Sequence, residues 1–189
     1  MRNLAALLCV AVAWVLPPTA RAGGGNYLFQ GGTRAERQVV ISALEATSFE
    51  WDLVPAAITI HIAHGADSVA VPGEIWLDAN LLDAGTFARG VVQHEYAHEV
   101  DYFLLDDVRR ARILPLLGGS AWCYDVAILP HAQYGCERFA STLAWSYWPS
   151  ADNCMKPEGR GDESAAMPPR RFRAFLDALL QPRKRVAAP

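Results

Sequence analysis

Several things are scarce in this 189-residue chain, and each scarcity excludes something. No apolar run reaches the ~20 residues that a membrane-spanning helix needs. The stretch from Leu4 to Leu16 is stopped by Pro17 and Pro18. Basic residues are not in excess: 17 Lys and Arg face 20 Asp and Glu, a formal charge of −3. No basic stripe therefore points to nucleic acid, and Arg183-Lys184-Arg185 near the C-terminus reads as a solvated tail. Cysteines number four and form no C-x-x-C pair, which argues against a cysteine-based zinc site. No internal repeat appears, so a solenoid is excluded. Histidines number only five, yet two of them stand four residues apart.

The first 22 residues read as a segment apart. Arg2, the short apolar run and Ala20-Arg21-Ala22 have the order of a secretory signal peptide, with cleavage expected after Ala22. Residues 23–189 are then expected to be one secreted, extracellular domain, monomeric and with no stable membrane insertion after cleavage. Without Arg2 and Arg21 its formal charge falls to −5. Cys123, Cys136 and Cys154 remain, and an oxidising compartment predicts one disulfide among them. All three pairings stay open; those using Cys123 need less doubling back of the chain.

Along the chain, the glycines at 23–25 and 31–32 suggest a flexible N-terminus. Thr33 with Glu36 forms a capping box that predicts a helix through about Thr47. Ile58, Ile60 and Ile62 alternate with Thr59 and His61, as in a half-buried strand over residues 57–63. Short strands are expected at 68–71 and 74–78, joined by the Pro72-Gly73 turn. Phe87, Val91, Ala97, Val100 and Leu104 predict a central helix over about 86–105, capped by Asp83 or Thr86 and apolar on most sides. Further helices are expected at 108–117, interrupted by Pro115, from about Cys136 to Trp148, and at 170–180. Residues 120–133 and 152–169 read as irregular, the latter as a polar loop. The fold class expected is α+β: a short mixed β-sheet with an active-site helix and a second ligand helix.

The chemistry concentrates in His94-Glu95-Tyr96-Ala97-His98. On a helix, residues four apart lie one above the other, so His94 and His98 can turn both imidazoles toward one metal ion. Glu95 sits about 100° round the helix, beside that ion and able to take a proton from a water on it. This H-E-x-x-H spacing encodes two zinc ligands and a general base. Asp101 shares the histidine face and is expected to accept a ligand's free ring N–H, or to be a ligand itself. The third ligand is expected in Glu137, a carboxylate in the first turn of the second helix. Two His and one Glu leave zinc a fourth position open for catalysis. Tyr134, or else His131, is the expected hydrogen-bond donor to the reaction's oxyanion. His61 and His64 read as ordinary polar residues.

Two segments carry a family likeness. His94-Glu95-Tyr96-Ala97-His98-Glu99-Val100-Asp101 and Glu137-Arg138-Phe139-Ala140, with Tyr134 upstream, resemble the zincin metallopeptidases of the Glu-ligand (gluzincin) branch, and within it the catalytic domain of lethal-factor-type toxins. The resemblance implies a secreted zinc peptidase, not a toxin, acting on a peptide or protein substrate. Apart from the resemblance, the strand expected at 68–71 is the edge to which an extended peptide would add. The alternatives are an exported zinc-binding module without turnover and a surface-interaction domain without metal.

Overall fold

A computed structural model describes residues 24–123 and 128–181. The expected signal peptide and its cleavage site, like the basic cluster at 183–185, lie outside the described residues. The alternating isoleucines form strand β2 (Ile58–Ala63), with Ile58, Ile60 and Ile62 buried and Thr59 and His61 half-buried. Glu74–Asp78 forms β4, parallel to β2, and Val69–Val71 forms β3, antiparallel to β4. The fourth strand, β1 (Tyr27–Gly31), falls where a flexible terminus was expected. Tyr27 and Phe29 are good strand residues, and β1 pairs parallel with β2, Phe29 opposite Ile60. The flanking glycines end β1 rather than loosen it: Gly31 and Gly32 take φ of 75° and 69°, open to glycine at little cost. The sheet order is β1-β2-β4-β3, which leaves β3 on an edge.

Helices cover the sheet. Thr33 caps α1 (Arg34–Ala46) with the expected capping box, its Oγ1 accepting from Glu36 N–H while Glu36 Oε2 accepts from Thr33 N–H. A short α2 (Ala79–Asp83), capped by Asp78, precedes a 3₁₀ turn at Gly85–Phe87. Helix α3 (Ala88–Leu104) then begins after Phe87 without a side-chain cap. Asp83 ends α2 instead of capping α3, because the chain turns once more before the long helix starts.

From Gly90 to Asp101 nearly every residue of α3 is buried, as its all-round apolar pattern requires. One side faces the N-terminal half: Tyr96 packs on Trp51 with ring centroids 5.0 Å apart, and Gln93 donates to Ala43 O in α1. The other side faces α5 (Gly135–Tyr147).

Helix α4 (Asp107–Leu117) runs through Pro115 rather than breaking there. The proline lies near the helix end, and Gly118, with φ 72°, closes it in the left-handed conformation. Helix α6 (Pro169–Leu180) packs Phe172 and Leu176 into the core, Phe172 against Phe139 of α5. The architecture is α+β, a small mixed sheet with helices. No described helix is long and apolar enough to cross a membrane.

Candidate metal centre

The start of α5 is held in an unusual way. Tyr134 stands at the N-cap without a side-chain cap bond. The first helical N–H groups go instead to a passing strand of backbone: Gly135 N–H donates to Ala121 O and Cys136 N–H to Trp122 O, at 2.8 and 3.1 Å. Such orphan donors need partners when buried. Glycine is required at 135 for the close approach, since a Cβ there would meet Leu114 and the Trp122 ring at 2.6 and 2.8 Å. A disulfide joins Cys123 to Cys136 and fastens the same two segments covalently; Cys154 is free. This anchoring fixes Glu137 in the first turn, facing α3.

There the expected ligands converge. His94 Nε2 and His98 Nε2 lie 3.2 Å apart, and Glu137 Oε2 is 3.2 Å from the first and 3.4 Å from the second. All three residues are buried. Two bonds of ~2.05 Å at a tetrahedral angle place ligand atoms about 3.3 Å apart. The triangle therefore has the dimensions of three corners of a zinc-sized tetrahedron. Three atoms able to offer lone pairs, enclosed and this close, call for a cation or shared protons between them.

Around the triangle runs a cleft of about 90 Å³, lined by His94, Glu95, His98, Tyr102, His131, Glu137, Cys123 and the β3 edge from Ser68 to Ala70. Glu95 is 6% exposed and turned to this cleft. Burial pushes its pKa up, and the neighbouring His94 and His98 offset only part of this, so the net shift is upward. Burial would also raise Glu137, but its close contacts with His94 and His98 outweigh it and hold the carboxyl far below its usual range. For His98 burial favours the neutral ring, and Glu137 reverses the balance, leaving its pKa raised.

His131, on a 3₁₀ turn at His131–Gln133, points Nε2 at Glu137 Oε2 (3.2 Å) and Nδ1 at Glu163 Oε1 (2.6 Å). Burial lowers its pKa, but the Glu163 hydrogen bond and the two carboxylate charges raise it further, so the net shift is upward. Tyr134 is placed differently. Its ring is buried, its hydroxyl accepts from Leu129 N–H at 3.3 Å, and it does not line the cleft.

Asp101 is not where its position on the histidine face suggested. Its Oδ1 accepts from Arg110 Nε at 2.8 Å and its Oδ2 from Trp122 Nε1 at 2.9 Å. Both oxygens bind these donors, and His98 Nδ1 is buried without a hydrogen-bond partner. Asp101 thus ties α3 to α4 and to the backbone that caps α5. His61 stacks on Trp76 and His64 meets Asn80, both away from the triangle.

Two site residues escaped sequence reasoning. Ser141, one turn after Glu137 on α5, has its Oγ 3.1 Å from His94 Nδ1. Glu163, on a 3₁₀ turn at Glu163–Ala166, accepts from Ser141 Oγ at 2.8 Å. The i, i+4 spacing of Glu137 and Ser141 was available as a signal. Glu163 had none, lying in a polar stretch with no pattern around it. No family model, no curated protein and no solved structure matches the chain.

Proposed function

We propose that this protein is a zinc-dependent metallopeptidase that hydrolyses peptide bonds. The observation that carries the reading is the triangle of His94, His98 and Glu137 opening onto a cleft that also holds Glu95. A zinc ion held by the three would polarise the scissile carbonyl and lower the pKa of water at its open position to roughly 7. Glu95 takes the proton of the attacking water on its carboxylate and delivers it to the leaving amine; its raised pKa suits a group that must do both. His131 Nε2, with its pKa raised, serves as the donor to the oxyanion. Tyr134, with its hydroxyl on Leu129 N–H, is the less favoured donor. β3, an edge strand along the cleft, offers its free side to an extended substrate. The disulfide fits an exported protein.

The second reading, a zinc-binding module without turnover, is favoured by the small cleft, well below the ~300 Å³ at which small-molecule pockets begin. Glu95 weighs against it, because a purely structural site has no need of a buried carboxylate beside its ligands.

One experiment separates the two. The wild type should bind about one zinc per chain and cleave members of a broad peptide library. Glu95→Gln should keep the zinc and lose about 10²- to 10⁴-fold in kcat. A zinc-loaded wild type that cleaves nothing leaves only the module; a chain that takes up no zinc refutes both.

A further inference from the structure

A chain of hydrogen bonds starts at Glu163 and ends at the ligand triangle, and its direction can be worked out. An ionised carboxylate only accepts. Ser141 therefore spends its single hydroxyl proton on Glu163 Oε2, at 2.8 Å, a much stronger acceptor than the Met155 thioether sulfur 3.7 Å away. Its oxygen can then only accept from His94 Nδ1, 3.1 Å away. With its proton on Nδ1, a neutral His94 presents a lone pair at Nε2, and Nε2 is the atom 3.2 Å from both His98 Nε2 and Glu137 Oε2. The other oxygen of Glu163 receives the Nδ1 proton of His131 and so turns that ring's Nε2 toward Glu137. One side chain orients a ligand on α3 and a cleft residue on the 131–133 turn.

We infer that Glu163 is a positioning residue: through Ser141 it sets the tautomer in which His94 offers Nε2 to a zinc-type divalent cation, and directly it aims His131 into the cleft. Its zinc half rests on reading His94 as a ligand; its tautomer half stands on the hydrogen bonds alone. Its geometry belongs to this chain's own residues. Ser141 is buried on α5, and Glu163 reaches it from a turn next to a second cavity of about 420 Å³, which Ser141 and Glu163 also line. Partners of this kind typically govern metal affinity by about 10- to 100-fold.

The test uses the full chain and two readouts. Long-range ¹H–¹⁵N spectra of the metal-free protein report which ring nitrogen of His94 carries the proton. Competition with a chromogenic chelator reports the affinity for Zn²⁺. In the wild type the His94 proton should sit on Nδ1. Glu163→Ala frees the Ser141 hydroxyl to donate to His94, so the Nε2-protonated tautomer should grow and Zn²⁺ affinity fall at least about tenfold. Ser141→Ala should weaken Zn²⁺ binding to a similar degree, and the double variant no further, because the two residues act in series. His131→Ala should leave the His94 tautomer unchanged.

An unchanged tautomer and affinity in Glu163→Ala overturn the inference, as does full additivity in the double variant. Should Glu163→Ala fail to fold, Ser141→Ala decides on the same two readouts. A wild type that binds no Zn²⁺ defeats the metal reading alone. The His94 spectra of the metal-free variants then still support the inference if they respond to Glu163, and overturn it if they do not.

Discussion

Glu99 shows what a single buried charge does to this protein. It directly follows His98, is fully buried on α3, and offers Oε2 to Gly73 N–H at 2.9 Å, while Oε1 has no hydrogen-bond partner. Burial pushes its pKa from 4.5 up to about 7, against weaker pulls from the Gly73 N–H and His98. The folded state then holds a proton that the unfolded chain releases between about pH 4.5 and 7. Stability from this group is complete below pH 4.5 and is lost as pH rises through 7. Glu99→Gln removes the ionisation and keeps an acceptor for Gly73. The variant should be more stable than wild type at pH 8 by about 1–3 kcal/mol, and nearly equal to it at pH 5. Urea unfolding of both metal-free proteins at the two pH values checks this. An equal difference at both would mean that Glu99 acts through packing and not through charge.

At the scale of elements, the site depends on how closely α3 approaches its neighbours. A Cβ at Gly90 would meet Asn153 Oδ1 at 2.4 Å and Cys154 Sγ at 2.6 Å. Asn153 cannot easily yield, since its Nδ2 donates to Ala144 O and Trp148 O and its Oδ1 accepts from Met155 N–H. Gly90→Ala should therefore cost about 1–3 kcal/mol, the range for overpacking, read as a lower urea midpoint with unchanged slope. Elements that follow from local chemistry were legible in the sequence: the Thr33–Glu36 capping box, the alternating isoleucines of β2, and the 3.6-residue period of α3. Local pattern misled where tertiary pairing or chain direction decides. Strand β1 lies between glycines that suggest mobility, and only pairing with β2 makes it a strand. The same limit applies to the site. His94, Glu95 and His98 are announced by spacing on one helix, whereas the partners of Asp101 come from α4 and from the segment at 122. Glu163 arrives from a loop whose composition says nothing of its destination.

For the whole molecule, the Cys123–Cys136 disulfide and the His94–His98–Glu137 triangle meet at one point, because Cys136 directly precedes Glu137 and Cys123 lines the cleft. A zinc ion in the triangle and the bridge beside it would be two stabilising devices at one point, and such devices should not act independently. Zinc at ~1,000 times its Kd would stabilise the fold by about 4 kcal/mol. For a domain of this size that is about 8–16 °C in Tm, which a chelator would remove. The disulfide closes a short loop, at a sequence separation of 13, and contributes about 3 kcal/mol, or about 6–12 °C. Thermal unfolding of wild type and of a Cys123→Ser/Cys136→Ser variant, each with zinc and with chelator, completes a cycle. Since the bridge fixes the turn that carries Glu137, the variant should hold zinc more weakly. Its chelator-induced fall in Tm should then be smaller than the wild type's, with a coupling of about 0.5–3 kcal/mol. Equal falls in the two proteins would mean that the disulfide restrains the chain without shaping the ligand triangle. The backbone bonds of Gly135 and Cys136 to Ala121 and Trp122 would then hold Glu137 in place unaided.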